Sequence, residues 1–581
     1  MILKELNALY DRLRKQGVDL PVMGNSLQKI SYRVVIKPDG TFVRIEDARE
    51  CENVKNKKKM VMREMLVLGE AKPSGSGVNP CFLWDNPAYL LGCVAAKERA
   101  LEYFQETKRR HLALEKEINS PTYSAVCRFF ETWDPEKSEE LMPSADLYTG
   151  NGIFVIQGHT VPVHEDETIQ KWWINGGSEV WGCFGKDKKE VLKGMCLVSG
   201  EVSRVAILHN PPIKNVANAQ SSGAKLVSFN CKSFESYGKE QSSNSPVSEQ
   251  VAFGYCNALN YLLSRKNSRV RIGDATTVFW TDAPADEHAV NEMLLCGFMD
   301  PETLEAQDDK LAQRVKNTLL DISKGCLPKD MLKSDTRFFI LGLSPNATRL
   351  SVRFYCEGAL SEFLENMRAH YDALSLQPRP KHNDPVLISP FMILRQTSRD
   401  VDGVPPLLGG ALMRAILLKQ PYPDAIATAI LRRFKADGYV NYIRCAYLKA
   451  WLTRKSSNYQ IKPMLDEDNN QPGYVLGRLF ALLQKTQSDA LPSLNRTIQD
   501  AFYSSASTTP GAVFPRLLKL YRHHVAKLST GSRINREKQV QHVMSKLMQF
   551  PARLAVEQQG MFAIGFYHQN LDLYTPQSDN S

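Results

Sequence analysis

Apolar residues recur every three or four positions at the start of the chain. In MILKELNALYDRLRKQ, Ile2, Leu3, Leu6, Leu9, Tyr10 and Leu13 alternate with Lys4, Glu5 and Arg14. This spacing predicts an amphipathic first helix rather than the basic stretch and unbroken apolar run of an export signal. The period then shortens to two. In ISYRVVI, Ile30, Tyr32, Val34 and Ile36 alternate with Ser31 and Arg33, and PDG (Pro38 to Gly40) turns the chain into TFVRI, predicting a hairpin. A second hairpin is predicted in RFFILGLSPNATRLSVRFYC, with Leu350, Val352 and Phe354 on one face and Arg349, Ser351 and Arg353 on the other. Between them, NSPVSEQVAFGYCNALNYLLSR predicts a helix capped around Asn244 and Ser245, with Pro246 at its start. Glu249 falls in its first turn, and Val251, Tyr255, Leu259 and Leu262 form an apolar stripe.

LSLQPRPKHNDP (Leu374 to Pro385) reads as a linker, and strand signals nearly vanish beyond it. ALMRAILLKQ, DAIATAILRRF, YVNYIRCAYLKAWLTRK, VLGRLFALLQKTQ, AVFPRLLKLYRHHVAKL and KQVQHVMSKLMQF each carry a helical period between short Pro-, Gly- or Ser-rich turns. The fold class expected is α+β: a mixed region with antiparallel hairpins over 1–375, then a helical bundle over 376–581. Nowhere do about 18 apolar residues run together, so no membrane span is expected.

Composition adds little to this picture. The 581 residues suit roughly two to four domains. The twelve cysteines include no CxxC pair, as expected for reduced thiols in a cytoplasmic protein. The net charge of +10 admits a polyanionic partner, and its placement carries more information than its sum. From Arg496 to Arg553 the chain carries ten lysines and arginines but only Asp500 and Glu537 as acids. Arg516, Lys519, Arg522, Lys527, Arg533 and Arg536 belong to this stretch, and Arg516, Lys519, His523 and Lys527 share one helical face. It reads as a track for a nucleic-acid backbone or as the solvated side of a bundle. The cluster Lys57, Lys58 and Lys59 carries the same two readings.

Signatures of catalysis are missing. In KPSGSGVNPCFLWDN, Gly75 and Gly77 lead to Val78, Asn79 and Pro80, not to the Lys and Ser or Thr of a phosphate-binding P-loop. HExxH and GxSxG are absent, and adjacent His523 and His524 point apart on a helix. His209 reads as structural. Asp282 and Asp286 suit turns or caps, although Asp282 or Glu240 with distant carboxylates leaves a metal-dependent nuclease or hydrolase as the alternative. No cofactor or metal is expected. The Gly-Ser-Gly loop fits a phosphate, a peptide, a nucleic-acid groove or plain solvent.

A resemblance narrows these choices. LYDRL, NSLQKISYRVVI, GSGVNPCFLWDNPAYLLG, AQSSGAKLVSFNCKSFESYGKEQSSNSPVSEQVAFGYCNALNYLL, RIGDATTVFW and FILGLSPNATRLSVRFY follow one another in order. Together they resemble the Csd family of CRISPR-associated proteins, the large subunits of the type I-C effector complex (Cascade). The resemblance implies a non-catalytic subunit of an RNA-guided DNA surveillance complex. Base pairing with the guide reads the target, and this subunit reads the short protospacer-adjacent motif (PAM) in double-stranded DNA. It implies further roles in opening the duplex for R-loop formation and in recruiting the helicase-nuclease. The implied partners are the guide RNA, the target duplex and its displaced strand, the backbone and guide-5′-end subunits, a small subunit and the helicase-nuclease, with no membrane.

On that reading the Gly-Ser-Gly tip enters a groove, because glycine permits close backbone approach. Ser76, where the family can carry Asn, would meet minor-groove acceptors or the guanine amino group. Lys72, Ser74, Gly75, Gly77, Asn79, Asn25, Ser26, Gln28 and Lys29 are the accompanying candidates for DNA contact. In the AQSSGA to KEQ block, Lys225 and Lys239 are candidates for the nucleic-acid backbone, the other reading being an internal polar network. The resemblance also implies that Met464 serves as an internal start, making 464–581 a separate small subunit.

Overall fold

The computed structural model describes residues 2–54, 57–70, 77–182, 184, 192–283, 285–301, 304, 310–328, 336–377, 384–400, 403–493 and 495–574. The architecture is α+β, with small sheets, mostly antiparallel, and a helical C-terminal region. The chain forms two compact units. One comprises Met1–Lys214 with Gln220–Tyr261, the other Asn215–Ala219 with Leu262–Ser581.

In the first unit the opening helix Ile2–Lys15 buries Leu6, Leu9, Tyr10 and Leu13, the face its period predicts. β1 (Asn25–Ile36) is the organising strand. Its second half pairs antiparallel with β2 (Phe42–Asp47), as the Pro-Asp-Gly turn predicts. β3 (Glu50–Val54) and β4 (Lys57–Val61) form a separate hairpin. β5 (Arg63–Leu68) returns to pair with the first half of β1, from Asn25↔Leu68 to Ile30↔Arg63. The two-residue β6 (Trp84–Asp85) lies against β7 (Asn151–Ile156), which runs parallel to β1. The helices Ala100–Ile118 and Pro121–Thr132 add Phe104, Leu114, Tyr123, Phe129 and Phe130 to a core with Tyr32, Val34, Phe82 and Phe154. A further hairpin pairs β8 (Lys193–Met195) with β9 (Val202–Arg204).

The helix Glu249–Ser264 begins later than the sequence suggests. Ser248 Oγ accepts the Val251 amide at 3.3 Å, so Ser248 caps it. Asn244 instead closes its own loop: Oδ1 accepts the Ser236 amide at 2.9 Å, and Nδ2 donates to the carbonyls of Lys239 and Gln241. Backbone groups nearer than the helix compete for that side chain and win.

In the second unit β10 (Arg269–Ile272), β11 (Ala275–Thr281), β12 (Arg337–Asn346) and β13 (Arg349–Ala359) form an antiparallel meander. The register slips between Gly342↔Phe354 and Leu343↔Val352, leaving Arg353 as an extra residue. This bulge breaks the period-two phase and puts Val352 and Phe354 on opposite faces, the first 43% exposed and the second buried; Leu350 is buried as well. Arg353 turns instead to Asp274, at 2.6 Å. One continuous apolar core joins this sheet to the helices that follow, from Val270 to Tyr567.

The predicted C-terminal helices are Pro406–Leu417, Asp424–Asp437, Tyr442–Lys455, Pro472–Ala490, Pro510–Val525 and Thr530–Met544. A further one, Val556–Tyr574, buries every residue from Gly560 to Gln569. It crosses Pro472–Ala490 at glycines. A Cβ on Gly477 would stand 2.1 Å from the Phe562 carbonyl oxygen, and one on Gly565 would stand 2.2 Å from that of Tyr474. Of the linker reading, residues 378–383 lie outside the described residues, and the Gln377 amide donates to the Pro463 carbonyl at 2.9 Å.

Candidate nucleic-acid interface

The described residues on either side of the Gly-Ser-Gly loop belong to the first sheet and its surroundings. Lys72, Ser74, Gly75 and Ser76 fall in 71–76 and lie outside the described residues, but both roots of the loop are described. At the first root β5 ends, and Gly69 takes φ +100°, a conformation open to glycine. Its carbonyl accepts the Ser26 hydroxyl at 2.6 Å, and its amide donates to the Gly24 carbonyl at 2.7 Å. Indole N–H groups reinforce the same root: Trp84 donates to the Leu68 carbonyl at 2.6 Å and Trp173 to the Gly24 carbonyl at 2.8 Å.

The second root is held as tightly. The Asn79 amide donates to the Tyr89 hydroxyl at 3.3 Å, and the Cys81 amide to Asp85 Oδ2 at 2.9 Å. Asp85 is buried, and its Oδ1 accepts the Asn86 amide at 2.7 Å. Asn86 then caps the short helix that Pro87 opens, which is why FLWDNP makes an abrupt turn. Phe82 packs among rings, 4.8 Å from that of Trp173 and 5.7 Å from that of His111. Leu83 sits at φ +63°, and its amide donates to His111 Nε2 at 3.2 Å. Burial lowers the pKa of His111 to about 4, so at neutral pH its ring accepts this hydrogen bond as the uncharged form.

The candidates on β1 divide between frame and surface. Asn25 and Ser26 are buried at the first root, where Gln28 Nε2 donates to Ser26 Oγ at 3.0 Å. Lys29 is exposed, as is Gly77, and Asn79 is half-buried. Asn25, Ser26 and Gln28 thus gather at the foot of the loop, with Lys29 the charged group on the open side of that strand.

A polar framework ties this foot to the AQSSGA to KEQ block. Glu70 accepts from Asn210 Nδ2 at 3.0 Å. The half-buried ammonium of Lys225 donates to Asn210 Oδ1 at 2.6 Å and to the His209 carbonyl at 2.5 Å. Burial lowers the pKa of Lys225, and its hydrogen bonds make it an internal tether. His209 Nδ1 is hydrogen-bonded to the Tyr255 hydroxyl at 2.7 Å, and burial lowers its pKa to about 4. The internal-network reading therefore accounts for Lys225, while Lys239 is exposed in the loop that Asn244 closes.

In the second unit the charged helix face is where its period places it. Arg516, Lys519, Arg522, His523, Lys527 and Arg533 are exposed, while Phe514, Leu517, Tyr521 and Val525 are buried. Arg516 lies over the Phe502 ring, 5.3 Å from its centroid. Arg536 differs from its neighbours: its side chain is only 12% exposed and pairs with Asp489 at 3.1 Å. An open groove of about 460 Å³ runs between the helices, with Leu518, Tyr521 and Val540 among its lining and Arg522 and Arg533 at its sides. β4 carries Lys59, Lys58 and Lys57 opposite Glu52, Asn53 and Val54 of β3, and their side chains lie outside the described residues. Met464 is 52% exposed in a bend before the helix Pro472–Ala490.

For the metal alternative, Asp282 Oδ1 accepts the Arg337 amide at 2.6 Å, a strand-end role. Among the described residues no three His, Cys, Asp or Glu side chains gather in a way that could hold a metal ion. No described helix is long and apolar enough to cross a membrane.

Comparison with curated proteins found no match. The model of a family described as CRISPR-associated protein (Cas_Csd1) matches residues 6–574. The match takes in the tethered loop, the polar framework and the basic helices alike, and the chain belongs to this family of CRISPR-associated proteins.

Proposed function

We propose that this protein is the non-catalytic large subunit of a type I-C Cascade, reading the PAM in duplex DNA through the Gly-Ser-Gly loop. One observation supports this reading beyond family membership: both roots of the loop are fixed to one sheet by hydrogen bonds that are buried or partly buried. A fixed base lets a short glycine-rich segment present backbone and a small hydroxyl to a groove with little further ordering. Lys29 beside the foot supplies a cation for the phosphates, and the exposed face from Arg516 to Arg533 supplies a sequence-independent track for a separated strand. The guide RNA, the backbone and guide-5′-end subunits, a small subunit translated from Met464 and the helicase-nuclease are the partners this role requires. The setting is the cytoplasm, and the outcome is antiviral defence.

The test replaces Ser74 to Gly77 with bulky side chains in the assembled complex. Discrimination between correct and incorrect PAM duplexes should disappear while assembly persists. An assembled variant that still chooses the correct PAM would remove this loop as the reader.

A further inference from the structure

Residues 231–244 form a small finger that the reading above leaves without a role. The Lys239 amide donates to the Ser236 carbonyl at 3.0 Å, and the two residues between, Tyr237 and Gly238, have φ of +54° and +66°. Two consecutive positive φ values are the signature of a type I′ turn, whose first central position favours Asn, Asp or Gly. Here that position holds a tyrosine, and its side chain is 99% exposed. A bulky residue in the left-handed region is uncommon, and one fully in solvent gains no packing in return.

The turn is nevertheless rigid. Asn244 bonds to the backbone on both sides of it, the Gln241 amide donates to Glu235 Oε1 at 3.2 Å, and Ser242 Oγ donates to the Ile207 carbonyl at 2.6 Å. Ile207 lies three residues before Asn210, whose amide binds Glu70 at the foot of the Gly-Ser-Gly loop. The finger and the loop therefore share one framework within the first unit.

We infer that Tyr237 is a stacking platform for an unpaired nucleobase, with Lys232 and Lys239 meeting the flanking phosphates. An exposed ring on a finger that also exposes ammonium groups is the combination that binds single strands without regard to sequence. A protein partner fits less well. Aromatic anchors at protein interfaces sit among residues that exclude water, and lysine, glutamate and serine are depleted there. The finger that carries Tyr237 exposes Lys232, Ser236, Lys239 and Glu240. The base could belong to RNA or to DNA, and the same ring chemistry serves both. This inference rests on the nucleic-acid reading.

The experiment uses the full chain with three probes carrying 2-aminopurine: single-stranded RNA, single-stranded DNA and duplex DNA. Tyr237→Asn keeps a residue the turn prefers and removes the ring. It should leave the melting temperature unchanged or raised, weaken binding of one single-stranded probe by about 5- to 150-fold and abolish its fluorescence change. Tyr237→Phe should restore both, and the strand affected identifies the source of the base. Equal binding of every probe by wild type and Tyr237→Asn, with normal salt dependence, would overturn the stacking role alone. So would a Tyr237→Asn defect confined to association with a protein. Failure of the wild-type chain to bind any probe in a salt-sensitive way would overturn the nucleic-acid reading, and the platform with it.

Discussion

Asp85 shows how much one buried side chain can organise. Its carboxylate accepts two backbone amides, those of Cys81 and Asn86, and its own carbonyl accepts the Tyr32 hydroxyl at 3.1 Å. Asp85→Ala would orphan both amides in a closed interior, and each unsatisfied donor costs about 1–3 kcal/mol. The expected result is a loss of at least about 2 kcal/mol in denaturant unfolding of the first unit. Asp85→Asn, which retains an acceptor oxygen, should recover part of it. Equal stability of Asp85→Ala and wild type would mean that water satisfies those amides. The sequence displays FLWDN plainly and both amides that the carboxylate accepts are local, yet nothing local reveals that the Asp85 carbonyl is tied to the Tyr32 hydroxyl, 53 residues away. Ser26 is the same kind of case. It is legible as a polar residue near the candidate tip, but only the sheet shows that its hydroxyl is committed to Gly69, 43 residues on.

Elements were legible in proportion to how one-sided their burial is. The helices Ile2–Lys15 and Pro510–Val525 announce themselves because one face meets solvent, and the hairpin from Asn25 to Asp47 through its Pro-Asp-Gly turn, although the second half of β1 is buried on both faces. The helix Val556–Tyr574 gives no such period, since it is enclosed on all sides, His568 and Gln569 included. The parallel contact of β1 with β7 is equally silent, because it joins residues more than a hundred positions apart. The glycine crossing of the enclosed helix makes a sharp prediction. Gly477→Ala would drive a methyl group into the Phe562 carbonyl and the Phe566 amide, both backbone groups that cannot rotate away. A loss of at least about 3 kcal/mol is expected, read as a lower denaturant midpoint with an unchanged slope. Gly531→Ala, where a Cβ meets nothing within 4 Å on the exposed helix Thr530–Met544, should cost nothing or stabilise slightly. A matching gain at both positions would mean that helix propensity, not the crossing, sets the effect.

At the scale of the whole molecule, buried histidines impose a common pH dependence. Burial lowers the pKa of His111, His164, His209 and His568 to about 4, and that of His370 to about 3. In the unfolded chain each titrates near 6.5, so between that value and the lowered one the unfolded state holds the extra protons. Stability is therefore fully present above pH ~6.5 and declines as the pH falls toward 4, by about 1.4 kcal/mol per pH unit for each such histidine. Glu106, held near 2 chiefly by hydrogen bonds from Arg109 and Arg110, adds its own loss only below the usual carboxylate range. Thermal melts at pH 7.5 and 5.5 should show a clear drop, and coincident curves would mean that these rings are hydrated in the folded state.

The enclosed helix also sets an order of events during synthesis. Val556–Tyr574 is the last described element to leave the ribosome, yet Trp451, Tyr474 and Phe480, and Tyr503 of the helix Ile498–Ala506, lean on it from three earlier helices. Until it emerges, those rings lack the packing that it supplies. The second unit must therefore wait, part-assembled and sticky, for its final turns of helix, while the first unit, complete by residue 261, is already closed.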